Sequence, residues 1–309
     1  MDLLAHLSCF VPGALRGLHA RLLDLDILSR FAYPYVLQHG VIFRGGDSDT
    51  RDRLSALAAE APDERVGDHA LSSLAWVDDD EVPRLFLRFH EDRPPWASQW
   101  FSAPWYALRA GWALLRNGQG QPLLLTSDCR RLERGVETAS PVEVIFRVEQ
   151  ECGGCAGPLS VLLDLDLGDE QLTFLGLSGD RLRVLTCERC VCFGTVYAAV
   201  DLGGSAKWME ESVKPEDPPE WAYEPERQLG LGLERRTPFE AHAFANHMSQ
   251  VGGQAGWIQN PDYPQCPRCQ RLMPSVAQVD LSEFELGEGM IYAFFDPDCG
   301  IVATLFQQS

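Results

Sequence analysis

Seven of the ten cysteines fall into one repeated grammar. Cys152-x-x-Cys155 is answered by Cys187-x-x-Cys190, and Cys266-x-x-Cys269 is answered by Asp296-Pro297-Asp298-Cys299. Soft thiolates on two tight turns can converge on one tetrahedral zinc, with Zn–S distances of about 2.3 Å. Cys152, Cys155, Cys187 and Cys190 would fill all four positions and leave none for water, so the chemistry they imply is structural. Four thiolates also suit an iron–sulfur cluster, but paired ribbon-like spacing without a redox partner motif favours zinc. Cys266, Cys269 and Cys299 supply three thiolates, and Asp296 stands where the fourth would be. A carboxylate can ligate zinc. It is equally the residue expected at a site that has lost its metal, so both readings of the second cluster stand. Cys192, just beyond a knuckle, is expected to pack as a spare thiol beside the first site.

The repeat extends past the cysteines. A shift of 114 residues lays Leu162-Leu163-Asp164-Leu165-Asp166 on Val276-Ala277-Gln278-Val279-Asp280, so Asp166 and Asp280 both end an apolar run after a knuckle. Asp164 and Asp166 would share one face of a strand, as carboxylate pairs do in some hydrolases. A hydrolase of undescribed class, working with Asp164, Asp166 and Asp280 in a cleft between the copies, is therefore the alternative to a purely structural role. Other catalytic signatures are missing. His242 and His247 lie five apart rather than four, Gly45-Gly46 and Gly252-Gly253 lack any phosphate-loop or dinucleotide pattern, and no nucleophile elbow is present.

These residues need a scaffold of two kinds. Through about residue 110 the apolar spacing is helical: Leu15–Leu28, Arg51–Ala59 with Leu54, Leu57 and Ala58, a helix capped by Asp68, and Val82–Phe89 beyond the Asp78-Asp79-Asp80 break. Helical hairpins of this type predict a HEAT-like module. Trp96, Trp100, Phe101, Trp105, Tyr106 and Trp112 follow Pro94-Pro95, and such rings either line a groove or fill the seam between two domains. Asn117-Gly118 marks a hairpin. From Pro141 strand character takes over, in Val142–Val148, Leu159–Leu167, Leu172–Leu175, Leu182–Thr186 and Val191–Val200, and again in Ser275–Val279, Met290–Phe295 and Ile301–Phe306. Between the copies lies a proline- and acid-rich connector, residues 212–226, and Phe239–Met248 has the pattern of a short helix. The predicted fold is α+β: a helical HEAT-like module over 1–140, then an internally duplicated, mainly antiparallel β-rich zinc-knuckle domain over 141–309, with copies at about 141–211 and 251–309.

A net charge of −19 without a Lys/Arg-rich face argues against bare nucleic acid and suits a basic protein partner. No basic leader or apolar run of membrane-spanning length is present, and clustered cysteines suit a reducing compartment, so a cytoplasmic location is expected.

Val251-Gly252-Gly253-Gln254-Ala255-Gly256-Trp257-Ile258-Gln259 resembles the Gly-Gly-x-x-x-Trp/Phe-x-Gln segment of the YwqG-like family of bacterial proteins. Tyr263-Pro264-x-Cys266-Pro267-x-Cys269 and Met273-x-x-x-Ala277-Gln278-Val279-Asp280 are similar to its zinc-bearing members. The closing Gly289–Phe295 and Asp296-Pro297-Asp298-Cys299 resemble a tail that usually reads Phe-x-Cys-Pro-x-Cys, so Asp296 departs from the pattern. The layout is distantly similar to the programmed-cell-death-protein-2 family. The resemblance covers about Pro141–Ser309 and implies a pseudo-duplicated domain with one knuckle-pair zinc per copy. A closed metal site, the lack of an acid/base constellation and the aromatic-rich seam point to a non-enzymatic protein-binding module with Trp96, Trp100, Trp105 and Trp257 as binding candidates, and the resemblance implies an immunity or chaperone-like adaptor.

Overall fold

Asp47 and Asp63 start the two longest N-terminal helices. The Asp47 carboxylate accepts the Thr50 amide at 3.0 Å and that of Asp63 accepts the Val66 amide at 2.9 Å, each satisfying a donor the helix itself cannot. The structure, a computed structural model, describes residues 2–25, 40–126, 128–134, 140–219, 229–236, 239, 248–285 and 287–308. It divides into two compact units, Met1–Leu123 with Phe239–Asn246, and Leu124–Pro238 with His247–Ser309.

The first unit is mainly helical: α1 (Asp2–Phe10), α2 (Arg16–Asp24), a 3-10 turn (Gly40–Phe43), α3 (Ser48–Glu60), α4 (Glu64–Leu74), α5 (Val82–Glu91) and α6 (Ala103–Arg109). Asp68 is not a cap. It lies inside α4, because Asp63 already supplies the extended capping residue and nothing between Glu64 and Gly67 stops the helix. Its carboxylate instead accepts the Tyr106 hydroxyl of α6. The tryptophan-rich segment packs within this unit. The Trp96 indole N–H donates to the Ala58 carbonyl, and its ring covers Gly67, where a Cβ would come within 2.2 Å. The Trp112 N–H donates to the Ala75 carbonyl at 2.9 Å and the ring meets Phe86 edge-on. Trp105 packs edge-on against Tyr106, while Trp100 is 84 % exposed. A short hairpin, β1 (Trp112–Leu114) with β2 (Gly120–Pro122), turns through Asn117-Gly118, where Gly118 takes a φ of +74°.

Burial pushes the Asp68 carboxyl above its ordinary value, against the hydrogen bond from Tyr106. A carboxyl whose folded pKa is raised favours folding while protonated, and that contribution is lost as pH climbs from the ordinary carboxylate range through the raised value. Asp68→Asn keeps an acceptor for Tyr106 and removes the buried charge. We expect the variant to melt above the wild type at pH 7 and level with it at pH 3, by calorimetry. A lower melting temperature at pH 7 would show that the charge itself is needed.

The second unit is built on strands: β3 (Cys129–Arg134), β4 (Val142–Glu151), β5 (Pro158–Asp166), β6 (Arg181–Thr186), β7 (Val196–Val200), β8 (Ala206–Trp208), β9 (Leu229–Arg236), β10 (Gln250–Gly252), β11 (Ser275–Asp280), β12 (Met290–Asp296) and β13 (Ile301–Gln307). One antiparallel sheet runs β8-β7-β13-β12-β11-β10-β3-β9 and a second runs β4-β5-β6. The sheet reaches back beyond Pro141, since β3 pairs with both β9 and β10. Strands β5, β11 and β12 are buried along nearly their whole length, as strands covered on both faces must be.

The two copies occupy equivalent elements. In the first, β4 pairs with β5, a 3-10 turn follows, and β6 leads into a cysteine turn and β7. In the second, β10 pairs with β11, a 3-10 turn follows, and β12 leads into the Asp296–Cys299 turn and β13. Asp169 caps the first 3-10 turn and Asp280 the second, each accepting the amide two residues on, and both turns end at a left-handed residue, Gly176 or Glu285. The last strands of the copies pair with each other, Ile301 opposite Ala199 through Thr304 opposite Val196.

Two strand expectations are corrected. Leu172–Leu175 belongs to the 3-10 turn Glu170–Leu175 rather than a strand, because the Asp169 side chain offers the backbone a turn. Val191–Phe193 is also a 3-10 turn, so the strand there starts only at Val196. At the start of the connector Ser212 is buried and exchanges hydrogen bonds with the Tyr197 backbone, and the Val213 amide donates to Thr195. Residues 220–226 of the connector, His242, His247 and most of Phe239–Met248 lie outside the described residues.

Candidate metal centres

The first knuckle sits on the turn between β4 and β5. The Cys152 amide donates to the Gly157 carbonyl and the Ala156 amide to the Cys152 carbonyl, both at 2.8 Å, which closes the turn and puts Ala156 at a φ of +55°. The second knuckle repeats this bond for bond. The Cys266 amide donates to Arg271 and the Gln270 amide to Cys266, again at 2.8 Å, with Gln270 at +62°. The turns after β6 and β12 also match, with Val191 donating to the Cys187 carbonyl and Gly300 to the Asp296 carbonyl, both at 2.9 Å. Asp296 thus occupies the position of Cys187, and Cys299 that of Cys190.

These turns gather Cys152, Cys155, Cys187 and Cys190 in one cluster and Cys266, Cys269, Asp296 and Cys299 in another, with the ligand atoms of each within 4.8 Å of one another. In the first, Cys152 Sγ lies 3.7 Å from Cys190 Sγ and Cys155 Sγ lies 3.5 Å from Cys187 Sγ. A regular tetrahedron of sulfurs about zinc has edges of about 3.8 Å, so the donor set fits the ion. Cys152, Cys187 and Cys190 are buried and form part of the hydrophobic core. The Gly154 amide donates to Cys152 Sγ at 3.3 Å, which fixes the direction of that sulfur.

Gly153 is required by packing. A Cβ there would come within 2.3 Å of the Trp208 ring. Gly153→Ala must push the indole off the knuckle, and we expect a loss of about 1–3 kcal/mol, read from the urea midpoint of the full chain. An unchanged midpoint would mean that Trp208 does not hold this turn.

The second cluster differs around the same frame. Cys266 is buried, whereas Cys269 and Cys299 are half-exposed. Asp296, only 3 % exposed, points one oxygen inward, with Cys269 Sγ donating to Oδ2 at 3.0 Å. Its other oxygen accepts the amides of Asp298 and Cys299 at 3.1 and 3.2 Å. Arg271 places Nε 3.5 Å from Cys269 Sγ and ion-pairs with Asp298 at 2.6 Å.

Each cluster favours an anion at one position and holds most of its other thiols protonated until an ion binds. In the first, the hydrogen bond with Cys187 brings Cys152 down from 9.0 to about 5, while burial pushes Cys190 up to about 12. In the second, burial opposes ionisation of Asp296, yet hydrogen bonds from Cys269, Cys266 and Cys299 hold it at about 2. Each cluster can therefore start from one anion and shed further protons as an ion binds.

The other candidates are engaged elsewhere. Asp164 lies 2 % exposed in β5, ion-paired with Arg183 at 2.9 Å and Arg181 at 3.1 Å. Asp166 accepts the Gly168 amide and also faces Arg181, at 3.8 Å. Asp280 caps its 3-10 turn, accepting the Ser282 amide and hydroxyl. Asp164 and Asp280 sit on equivalent strands of different sheets. Each of the three is tied to its own local partners, which gives these carboxylates a structural role here. Trp257 is buried against Tyr292 and Tyr263. Cys192 is exposed rather than packed beside the first cluster, because the 3-10 turn through Val191–Phe193 rotates it outward. Sequence reasoning missed Trp208 and Arg271; only the adjacency of Arg271 to its knuckle could have signalled it.

No helix among the described residues is long and apolar enough to cross a membrane. No family model matches the chain, and no solved structure matches it. It is similar to a Salmonella typhimurium protein described as "Uncharacterized protein YpfL", with 32 % identity over 276 residues, or 86 % of this chain. The chain covers 64 % of that relative, less than two thirds of its length.

Proposed function

We propose that the chain is a YwqG-like bacterial protein acting in the cytoplasm as a non-enzymatic, zinc-stabilised protein-binding module, an immunity or chaperone-like adaptor. The observation that carries this reading is the first cluster: four thiol sulfurs, three of them buried, spaced as the corners of a tetrahedron that zinc would fill. With four protein ligands on the ion, none of its positions is left for a substrate or an activated water. The carboxylates that would serve hydrolysis hold strands and turns together, so they lend the alternative no free residue. The Gly-Gly-x-x-x-Trp-x-Gln segment supports the family, a Salmonella relative supports a bacterial protein, and the charge of −19 supports a basic partner met by electrostatic steering.

The test is purification of the tagged full chain from its native host at low and high salt, with zinc measured in the same samples. A basic protein retained in a fixed ratio at low salt and shed at high salt, on zinc-loaded chain, is the expected result. A zinc-free chain, or a hydrolytic turnover abolished by Asp164→Asn, would sink the reading.

A further inference from the structure

Asp296 stands where the first cluster has Cys187, and its surroundings decide whether it is a relic or a ligand. A relic at the end of a hairpin would turn to water. Asp296 is 3 % exposed, and two backbone amides, those of Asp298 and Cys299, fix its Oδ1 and leave Oδ2 aimed at Cys269. Outer-shell donors of this type orient a metal-bound carboxylate through one oxygen.

A cation is also built in. Arg271 lies 3.5 Å from Cys269 Sγ, 3.7 Å from Asp296 and 2.6 Å from Asp298. The matching position in the first cluster is Gly157, and Asp298 matches Arg189, whose side chain lies over Gly157. Three thiolates and a carboxylate around Zn²⁺ carry two net negative charges, which the guanidinium of Arg271 offsets in part.

We infer that the second cluster is a working Cys3Asp site that exchanges its zinc, while the first holds its ion permanently. The inference rests on the zinc reading above and assigns different duties to the two sites. Three features separate them. A carboxylate is a harder donor than thiolate and binds zinc less strongly. Cys269 and Cys299 are half-exposed, so a competing ligand can reach the ion, whereas Trp208 covers the first knuckle and three of its four sulfurs are buried. Arg271 already touches Asp296 and can pair with it when the ion departs, which lowers the cost of the metal-free state. Departure also leaves the sheet intact, because β12 stays paired with β13 from Met290–Gln307 to Asp296–Ile301 and with β11. What the ion adds is a clasp between the Cys266–Cys269 knuckle and the Asp296–Cys299 turn. The site is a metal-responsive clasp on a folded sheet.

The experiment loads the full chain with Zn²⁺, counts the metal by elemental analysis and follows its release to a chromophoric chelator. The wild type is expected to hold two ions and release them in two phases separated by about tenfold or more. Asp296→Ala should lose one ion and the fast phase. Asp296→Cys should keep both ions and slow the fast phase about tenfold, since a fourth thiolate replaces the weaker ligand. The cysteine variant also guards against misfolding of the alanine variant. One ion in the wild type, unaffected by Asp296→Ala, would overturn this inference and leave the proposed function standing, as would two ions leaving at one rate. No ion at all would overturn both.

Discussion

Cys187→Ser is expected to abolish cooperative folding of the strand-rich unit. Cys187 is fully buried where β6 ends, and with Cys152 and Cys190 it belongs to the same hydrophobic core as Val161, Leu163 and Phe295. A serine hydroxyl does not replace a thiolate on zinc, and without the ion the buried sulfurs of Cys152 and Cys190 would sit unliganded in an apolar interior. Structural zinc contributes of order 10 kcal/mol at neutral pH, while a whole domain retains only about 5–15 kcal/mol. The loss is therefore comparable to the entire stability of the unit. The expected observation is insoluble chain, or soluble chain whose strand-rich unit shows no sharp thermal transition by calorimetry. A cooperative melt within a few degrees of wild type would refute the structural role. Acid should act in the same direction. The thiolates must take up protons as they release the ion, so zinc affinity, and the stability that depends on it, falls as pH drops.

The knuckles were legible because chemistry fixes their spacing: two sulfurs that share an ion must stand on one tight turn. The duplication was legible for the same reason, and the structure places Leu162–Asp166 and Val276–Asp280 in equivalent strands. The offset is not constant, however. It is 114 residues at the opening knuckles and 109 at the closing turns, since Cys187 matches Asp296, and the difference is absorbed in the segment that holds the 3-10 turn. Leu172–Leu175 falls there, and its apolar run has the pattern of a strand. What hid the turn is that its determinant, the Asp169 side chain, lies outside the run. The left-handed Ala156 and Gln270 were equally hidden, because neither residue type announces a positive φ.

Long-range pairing left no local trace. Cys129–Arg134 reads Cys-Arg-Arg-Leu-Glu-Arg, with little alternation of apolar and polar residues, yet it is a strand between β10 and β9. Nothing nearby in sequence could reveal partners more than ninety residues away, such as Leu231 opposite Leu132. The pairing of β7 with β13, which joins the copies, is hidden in the same way. The tryptophans show a different limit. Composition located large apolar rings but not which surface they bury, and Trp96, Trp105 and Trp112 prove to pack against helices and the hairpin of their own unit.

Trp257→Ala is expected to cost about 3–5 kcal/mol, the range for deleting a large buried aromatic side chain, and to do so by loosening the second unit rather than by emptying a binding site. Trp257 is 7 % exposed, with its ring centroid 4.6 Å from Tyr292, 5.0 Å from Tyr263 and 6.1 Å from Phe294, the last nearly parallel. Its neighbours are anchored by the same segment, for the Tyr292 hydroxyl donates to the Gly256 carbonyl at 2.9 Å and accepts the Ile258 amide at 3.0 Å. The indole is thus clamped between the backbone of its own loop and the buried strand β12, and an alanine would leave a cavity where relaxation is opposed on both sides. Trp257→Phe retains an aromatic ring and should lose less than half as much. Urea denaturation of the full chain separates these expectations, with the midpoint falling far more for alanine at an unchanged slope. If alanine instead left the midpoint in place and only weakened retention of the basic partner, Trp257 would be a contact residue, and its burial against Tyr292 would not describe the protein in solution.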